Sequence, residues 1–170
     1  MSEAQLDVRG LGKRDAYRVL KEQFDSVCEG VTDPIAIMST MACVLHHGFG
    51  HLWTGFYRRI EPKRLIVGPY QGTLGCMDIE LGGGVCGTAA LTRQTVIVSD
   101  VRAFPGHIAC DARSLSEIVV PVFCHAGEVM AVLDIDSAQT GAFDETDKRE
   151  LESWVTWFAQ DTAAPGRTLL

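Results

Sequence analysis

The sequence predicts an α+β fold: a central antiparallel sheet with helices from both ends of the chain packed on it. Three observations carry the prediction. Apolar residues recur at helical spacing near both ends, the middle is a series of short apolar runs bounded by turn residues, and neighbouring runs are joined by short turns, which makes them antiparallel. With 170 residues the chain has length for one domain with a proper core. That domain is expected to span 1–170, with N-terminal helices over roughly 13–48, sheet and long loops over roughly 50–137, and a closing helix over roughly 143–162.

Residues 13–29 place Tyr17, Leu20, Phe24 and Val27 on one helical stripe, with Cys28 adjoining it. A break at GVTDP follows, where Asp33 suits an N-cap and Pro34 a first helical turn. IAIMSTMACVLHHG then reads as an apolar helix ending at Gly48, with Cys43 packed inside it as a small hydrophobe, like Cys28. HLWTGFYRRIEPKRLIVGPYQG is a hairpin turning at Glu61 and Pro62. Residues 72–84 form a glycine-rich loop carrying Cys76, VCGTAALTR a short helix holding Cys86, and TVIVSDV a strand. A loop over roughly 101–116 carries Cys110 beside Pro105, Gly106, His107 and Asp111. EIVVPVFC is a buried strand ending at Cys124, HAGE turns into the strand VMAVLDIDS, and FDETDKRELESWVTWFAQD is a helix with Leu151, Trp154, Val155 and Phe158 on one face. Ligand space is expected under the loops at 72–87 and 101–116.

Composition excludes several classes of function. The net charge of −7 argues against nucleic acid, since there is no basic stripe to release counterions. Arg58, Arg59, Lys63 and Arg64 read as solvated strand ends. No apolar run approaches the length of a membrane span, and the first residues lack the apolar core of a signal peptide. The expected compartment is the cytoplasm, where the cysteines would serve as thiols rather than as permanent bridges.

Gly82, Gly84 and Gly87 satisfy G-x-G-x-x-G, but the following helix is barely two turns and the nearest suitable acid, Asp100, comes too early for a dinucleotide site. These glycines instead let the chain turn tightly and bring Cys86 toward a pocket. His107 and Cys110, with Cys76 and Cys86, lack the paired short spacings of structural zinc, and no metal is expected. Thiol chemistry fits better: Cys76, Cys86 and Cys110 lie in or beside the two long loops, and Cys28, Cys43 and Cys124 in apolar elements. Asp134 and Asp136 share a strand face, and Glu117 begins the neighbouring strand. Local sequence slightly favours a strand ending at Asp136 with both acids solvated; the other reading is a cluster of carboxylates relieved by a cation or a shared proton.

GPYQGTLGCMDIELGGGVCGTAA and VSDVRAFPGHIACDARSLSEIVVPV, with HLWTGFY and VLDIDS, closely resemble the free methionine-(R)-sulfoxide reductases, enzymes built on a GAF domain. The resemblance covers most of residues 50–145 and implies a single GAF domain that reduces free L-methionine-(R)-sulfoxide through a sulfenic acid and an intramolecular disulfide. It implies Cys110 as nucleophile and Cys76 as its resolving partner, and leaves the role of Cys86 open. It places carboxylates around the substrate at Glu117, Asp134 and Asp136, and an aromatic wall for the substrate methyl group at Trp53 with Tyr57 nearby. It further implies no cofactor, thioredoxin as the external reductant and, by analogy with GAF domains that pair through terminal helices, a homodimer. The alternative is a ligand-binding or redox-sensing GAF module without turnover.

Overall fold

The structure, a computed structural model, describes residues 7–108 and 110–160; the tail, the last residues of the expected closing helix and Ala109 in the Cys110 loop lie outside the described residues. Two helices open the chain, α1 (Lys13–Val27) and α2 (Pro34–Phe49). Asp33 Oδ1 accepts the Ala36 N–H at 2.8 Å, Pro34 occupies the first turn, and Gly50 closes α2 in the left-handed conformation. The hairpin follows as β1 (Trp53–Glu61) and β2 (Arg64–Gly72). Then come β3 (Asp78–Glu80), α3 (Gly84–Thr92), β4 (Val96–Val98), a single 3-10 turn (Val101–Ala103), β5 (Ser116–Phe123) and β6 (Val129–Ser137). The helices α4 (Glu145–Val155) and α5 (Trp157–Gln160) end the described chain.

The strands form one six-stranded sheet in the order β3-β2-β1-β6-β5-β4, antiparallel at every pairing. The α+β architecture expected from the sequence is therefore present. Alternation along the central strands divides the interior into two cores. On one face Phe56, Ile118, Val120, Leu133 and Ile135 meet the buried sides of α1, α2, α4 and α5. On the other, Tyr57, Leu65, Val119 and Val132 meet Val85, Cys86 and Ala89 of α3. Helices from the two ends of the chain thus fill one face and leave the other to α3 and the long loops. Lys13 ties the ends together by bridging Asp144 (2.9 Å) and the buried Asp147 (2.5 Å), and the Tyr17 hydroxyl donates to Asp147 at 2.9 Å.

Several local expectations need correction. β3 lies within what the sequence reads as pure loop. It has only Ile79 buried and is held by pairing with the edge of β2, so it is too short to show a periodicity. Val27 is exposed, to one side of the buried stripe that runs through Tyr17, Leu20 and Phe24 to Cys28. Cys43 is exposed as well: the buried face of α2 runs through Ile37, Met38, Met41, Ala42 and Leu45, and residue 43 points away from it. Cys124 is half-buried in the turn after β5, where its N–H donates to the Glu128 carbonyl, rather than in the core. Cys28 is buried as expected. No helix among the described residues is long and apolar enough to cross a membrane.

Candidate active site

Strand register builds the floor of the cleft. Trp53 on β1 stands opposite Asp136 on β6, and Asp136 opposite Glu117 on β5, so these side chains form one row across the sheet. Two residues along, Gly55, Asp134 and Val119 form the next row on the same face. Gly55 leaves its place empty, and the Trp53 indole lies across it: a Cβ there would fall 2.6 Å from Trp53 Cη2. The indole stacks with Tyr57 and Tyr70, centroids 5.6 and 5.3 Å away, and its Nε1–H donates to the Thr73 carbonyl at 3.1 Å. The aromatic wall and the carboxylates therefore arise from one register.

The other walls come from α3 and the loops. Gly84 enters α3 with φ +57°, and any side chain at Gly87 would collide with the Glu80 carbonyl. The first turn of the helix consequently lies against β3 and carries Cys86 to the floor, where its Sγ is 4.0 Å from Glu117 Oε1. The Cys110 loop is pinned by Asp111, which accepts the Thr73 hydroxyl at 2.8 Å and is gripped by the Arg113 backbone and guanidinium. This joins the two segments that the Cys76–Cys110 disulfide also links, with Cα atoms 5.5 Å apart. Of the residues singled out from the sequence, Trp53, Tyr57, Cys86, Cys110, Glu117, Asp134 and Asp136 line this one cleft, and Cys76 meets it through the disulfide.

The acids are not solvated. Glu117 and Asp134 are only 6% and 5% exposed and Asp136 is half-buried, and β6 runs through both aspartates to Ser137, against the local preference for a strand ending at Asp136 with both acids solvated. Burial, with the charge of Asp136 beside it, pushes Glu117 well above the ordinary carboxylate range. Burial pushes Asp134 up in the same way, with Asp136 and Glu117 adding repulsion, and its Oδ1 has no hydrogen-bond partner among the described residues. Burial also raises Asp136, but the Ser114 hydroxyl donates to it and the His107 imidazole attracts it, so it settles at about 6. His107 Nε2 lies 3.5 Å from Glu117 Oε2. The Cys86 thiol is held protonated by burial and by the neighbouring Asp134 and Glu117. Cys86, Glu117 and Asp134 bring donor atoms within 4.8 Å of one another, but a cation there would first have to displace the protons that burial favours.

The sequence reading did not assign roles to His107, Asp111, Thr73 and Ser114. His107 and Asp111 were visible as unusual neighbours of Cys110, whereas Thr73 and Ser114 gave no signal, because their partners are 38 and 22 residues away.

Asp136 yields a test of these energetics. Its carboxyl binds a proton more readily folded, at about 6, than at its ordinary value of 3.8, so the folded state holds more protons between those values. The associated stability is complete below 3.8 and is lost as pH rises through 6. Asp136→Asn is expected to be more stable than the unsubstituted chain at pH 7.5 by about 3 kcal/mol, with the gain vanishing below about pH 4, in urea unfolding. Burial lowers His51 to about 3, which works in the opposite direction over the same window. That contribution is common to both chains and cancels in the comparison.

A fold with this sheet, and a cleft under its loops, is that of a GAF domain, and the GAF-domain family model matches residues 21–159. Free methionine-R-sulfoxide reductase of Saccharomyces cerevisiae is 39% identical over 149 residues, covering 84% of this chain and 83% of the yeast protein. The Escherichia coli protein of the same name is 38% identical over 146 residues, covering 85% of this chain and 87% of that protein. Among solved structures, free methionine-R-sulfoxide reductase from Neisseria meningitidis in complex with its substrate superposes with a TM-score of 0.87 at 39% identity, covering 94% of this chain and 95% of that chain. This chain belongs to the free methionine-R-sulfoxide reductase family, and it is an enzyme.

Proposed function

We propose that this protein reduces free L-methionine-(R)-sulfoxide to L-methionine, with Cys110 as nucleophile and Cys76 as resolving thiol. The observation that supports this most directly is the convergence of Cys110, two buried carboxylates with a half-buried third, and an indole wall on one cleft. A sulfoxide sulfur is a poor electrophile until its oxygen gains a proton, and a carboxylic acid kept neutral by burial can supply one at neutral pH. In this reading the Cys110 thiolate attacks the sulfur while the oxygen is protonated. The S–O bond of the sulfoxide then breaks as its protonated oxygen passes to the Cys110 sulfur, which leaves methionine and a Cys110 sulfenic acid. Cys76 then attacks that sulfur, water leaves, and the Cys76–Cys110 disulfide forms.

The same carboxylates account for a free amino acid as substrate. Its ammonium neutralises buried negative charge, whereas a methionine sulfoxide within a polypeptide lacks that charge and would leave the acids unpaired. Trp53, backed by Tyr57, covers the methyl group, so oxygen toward the acids and methyl toward the indole together select the R epimer. Thioredoxin reduces the disulfide, no cofactor takes part, the compartment is the cytoplasm, and two copies pair through their terminal helices.

The test combines free methionine-(R)-sulfoxide with thioredoxin, its reductase and NADPH. The unsubstituted chain is expected to oxidise NADPH continuously. Cys76→Ser is expected to release about one methionine per chain and then stop, because the Cys110 sulfenic acid has no partner. Continuous cycling by that variant would transfer the resolving role to Cys86, and no methionine from either chain would leave only a binding module.

A further inference from the structure

Exposed apolar side chains gather at one place on the surface. Among the described residues the three most exposed large hydrophobics are Leu74 (82%), Met77 (70%) and Leu91 (61%), and Ile108 is 42% exposed. Three of the four flank the disulfide in sequence, and the fourth, Leu91, adjoins them across a glycine turn. Met77 directly follows Cys76, Leu74 precedes it by two positions, and Ile108 precedes Cys110 by two. The nearly bare backbone of Gly82–Gly84 connects Ile108 to Leu91. A Cβ at Gly82 would meet Leu91 Cδ2 at 3.3 Å, and one at Gly84 would meet Ile108 Cγ1 at 3.2 Å, so both side chains rest on this glycine floor.

Neither core of the fold uses Leu74, Met77 or Leu91, and substrate chemistry needs neither Met77 nor Leu91, which do not line the cleft. A polar residue at those two positions would cost the fold nothing, yet the chain keeps apolar ones beside its redox bond. We propose that this patch is the docking surface for the protein dithiol that reduces the Cys76–Cys110 disulfide. The proposal rests on the functional reading above. Position and size identify the occupant. Whatever covers the patch also lies over the disulfide, and a permanently bound second copy there would seal the cleft. Four side chains expose on the order of a few hundred Å², well short of the roughly 800 Å² per partner of a stable complex and in the range of transient redox encounters. A reductant that must arrive and leave in every cycle fits that size.

The exchange balances without further reactants. A partner thiolate attacks one sulfur of the disulfide, the S–S bond breaks, a mixed disulfide forms, and the other sulfur leaves as a thiolate that takes a proton from water. The partner's second thiol loses its proton and attacks the mixed disulfide. This closes the partner's own disulfide and returns the remaining cysteine as a thiol. Two electrons pass from the partner to the chain.

The double variant Met77→Ser/Leu91→Ser tests this with two reductants: thioredoxin kept reduced by its reductase and NADPH, and dithiothreitol. The KM for thioredoxin is expected to rise about tenfold, with turnover on dithiothreitol unchanged. An unchanged KM for thioredoxin would overturn the docking surface while leaving the reaction intact. A fall on both reductants would also overturn it, because the defect would then belong to the chain itself. If the unsubstituted chain forms no methionine with either reductant, the functional reading fails first.

Discussion

Cys110→Ser is expected to abolish reduction of free methionine-(R)-sulfoxide, lowering kcat/KM by more than about a thousandfold and ending even the first turnover. A serine hydroxyl stays protonated at neutral pH and is a poor nucleophile toward sulfur, so the step that expels methionine has no attacking atom. The variant should fold normally, because Cys110 lies on an exposed loop that Asp111, Thr73 and Arg113 hold by hydrogen bonds independent of its sulfur. Urea unfolding of both reduced chains should give matching midpoints, and calorimetry should still detect substrate binding, since Trp53 and the carboxylates are untouched. Methionine formed at one per chain by the variant would move the nucleophile to another cysteine. Cys86 is the poorest candidate for that role, because its buried thiol is held protonated beside two acids.

Elements with many buried positions were readable from the sequence. The apolar stripes of α1, α2 and α4, the hairpin turn at Pro62, and the strands on either side of HAGE follow from periodicity and turn chemistry, because each buries a regular set of side chains against the sheet. What could not be read depends on register. Trp53, Asp136 and Glu117 are far apart in sequence and meet only because β1 and β5 both flank β6 at particular offsets, and nothing in the run VLDIDS distinguishes a buried acid from a frayed end. Family resemblance supplied these residues, and strand pairing supplied the physical reason for them. Cys43 departs from expectation for the opposite reason: its run is apolar enough to suggest burial on every side, whereas α2 buries only one face. His107 and Ser114 act on the carboxylates from the Cys110 loop, and loop contacts of that kind have no periodicity to betray them.

Glu117→Gln is expected to lower kcat by roughly 10² to 10⁴, the usual contribution of a general acid, with little change in KM. The three carboxylates have different environments, and their roles separate accordingly. Asp136, at about 6 with the Ser114 hydroxyl donating to it, is ionised at neutral pH and suited to the substrate ammonium. Asp134 is enclosed, with an unpartnered Oδ1, so an incoming ammonium would give that oxygen its hydrogen bond. Glu117 also holds its proton, and the His107 imidazole, Nε2 at 3.5 Å from its Oε2, lies against it from the loop that carries Cys110. A donor must be reloaded in every cycle, and that imidazole links the buried carboxyl to the half-buried loop edge. Glutamine keeps the size and a hydrogen bond but has no proton to release, so the loss falls on the chemical step. Asp134→Asn serves as the contrast, with a raised KM and a smaller change in kcat. If the two variants exchange these signatures in steady-state kinetics, the proton comes from Asp134, and Glu117 binds the amino group instead.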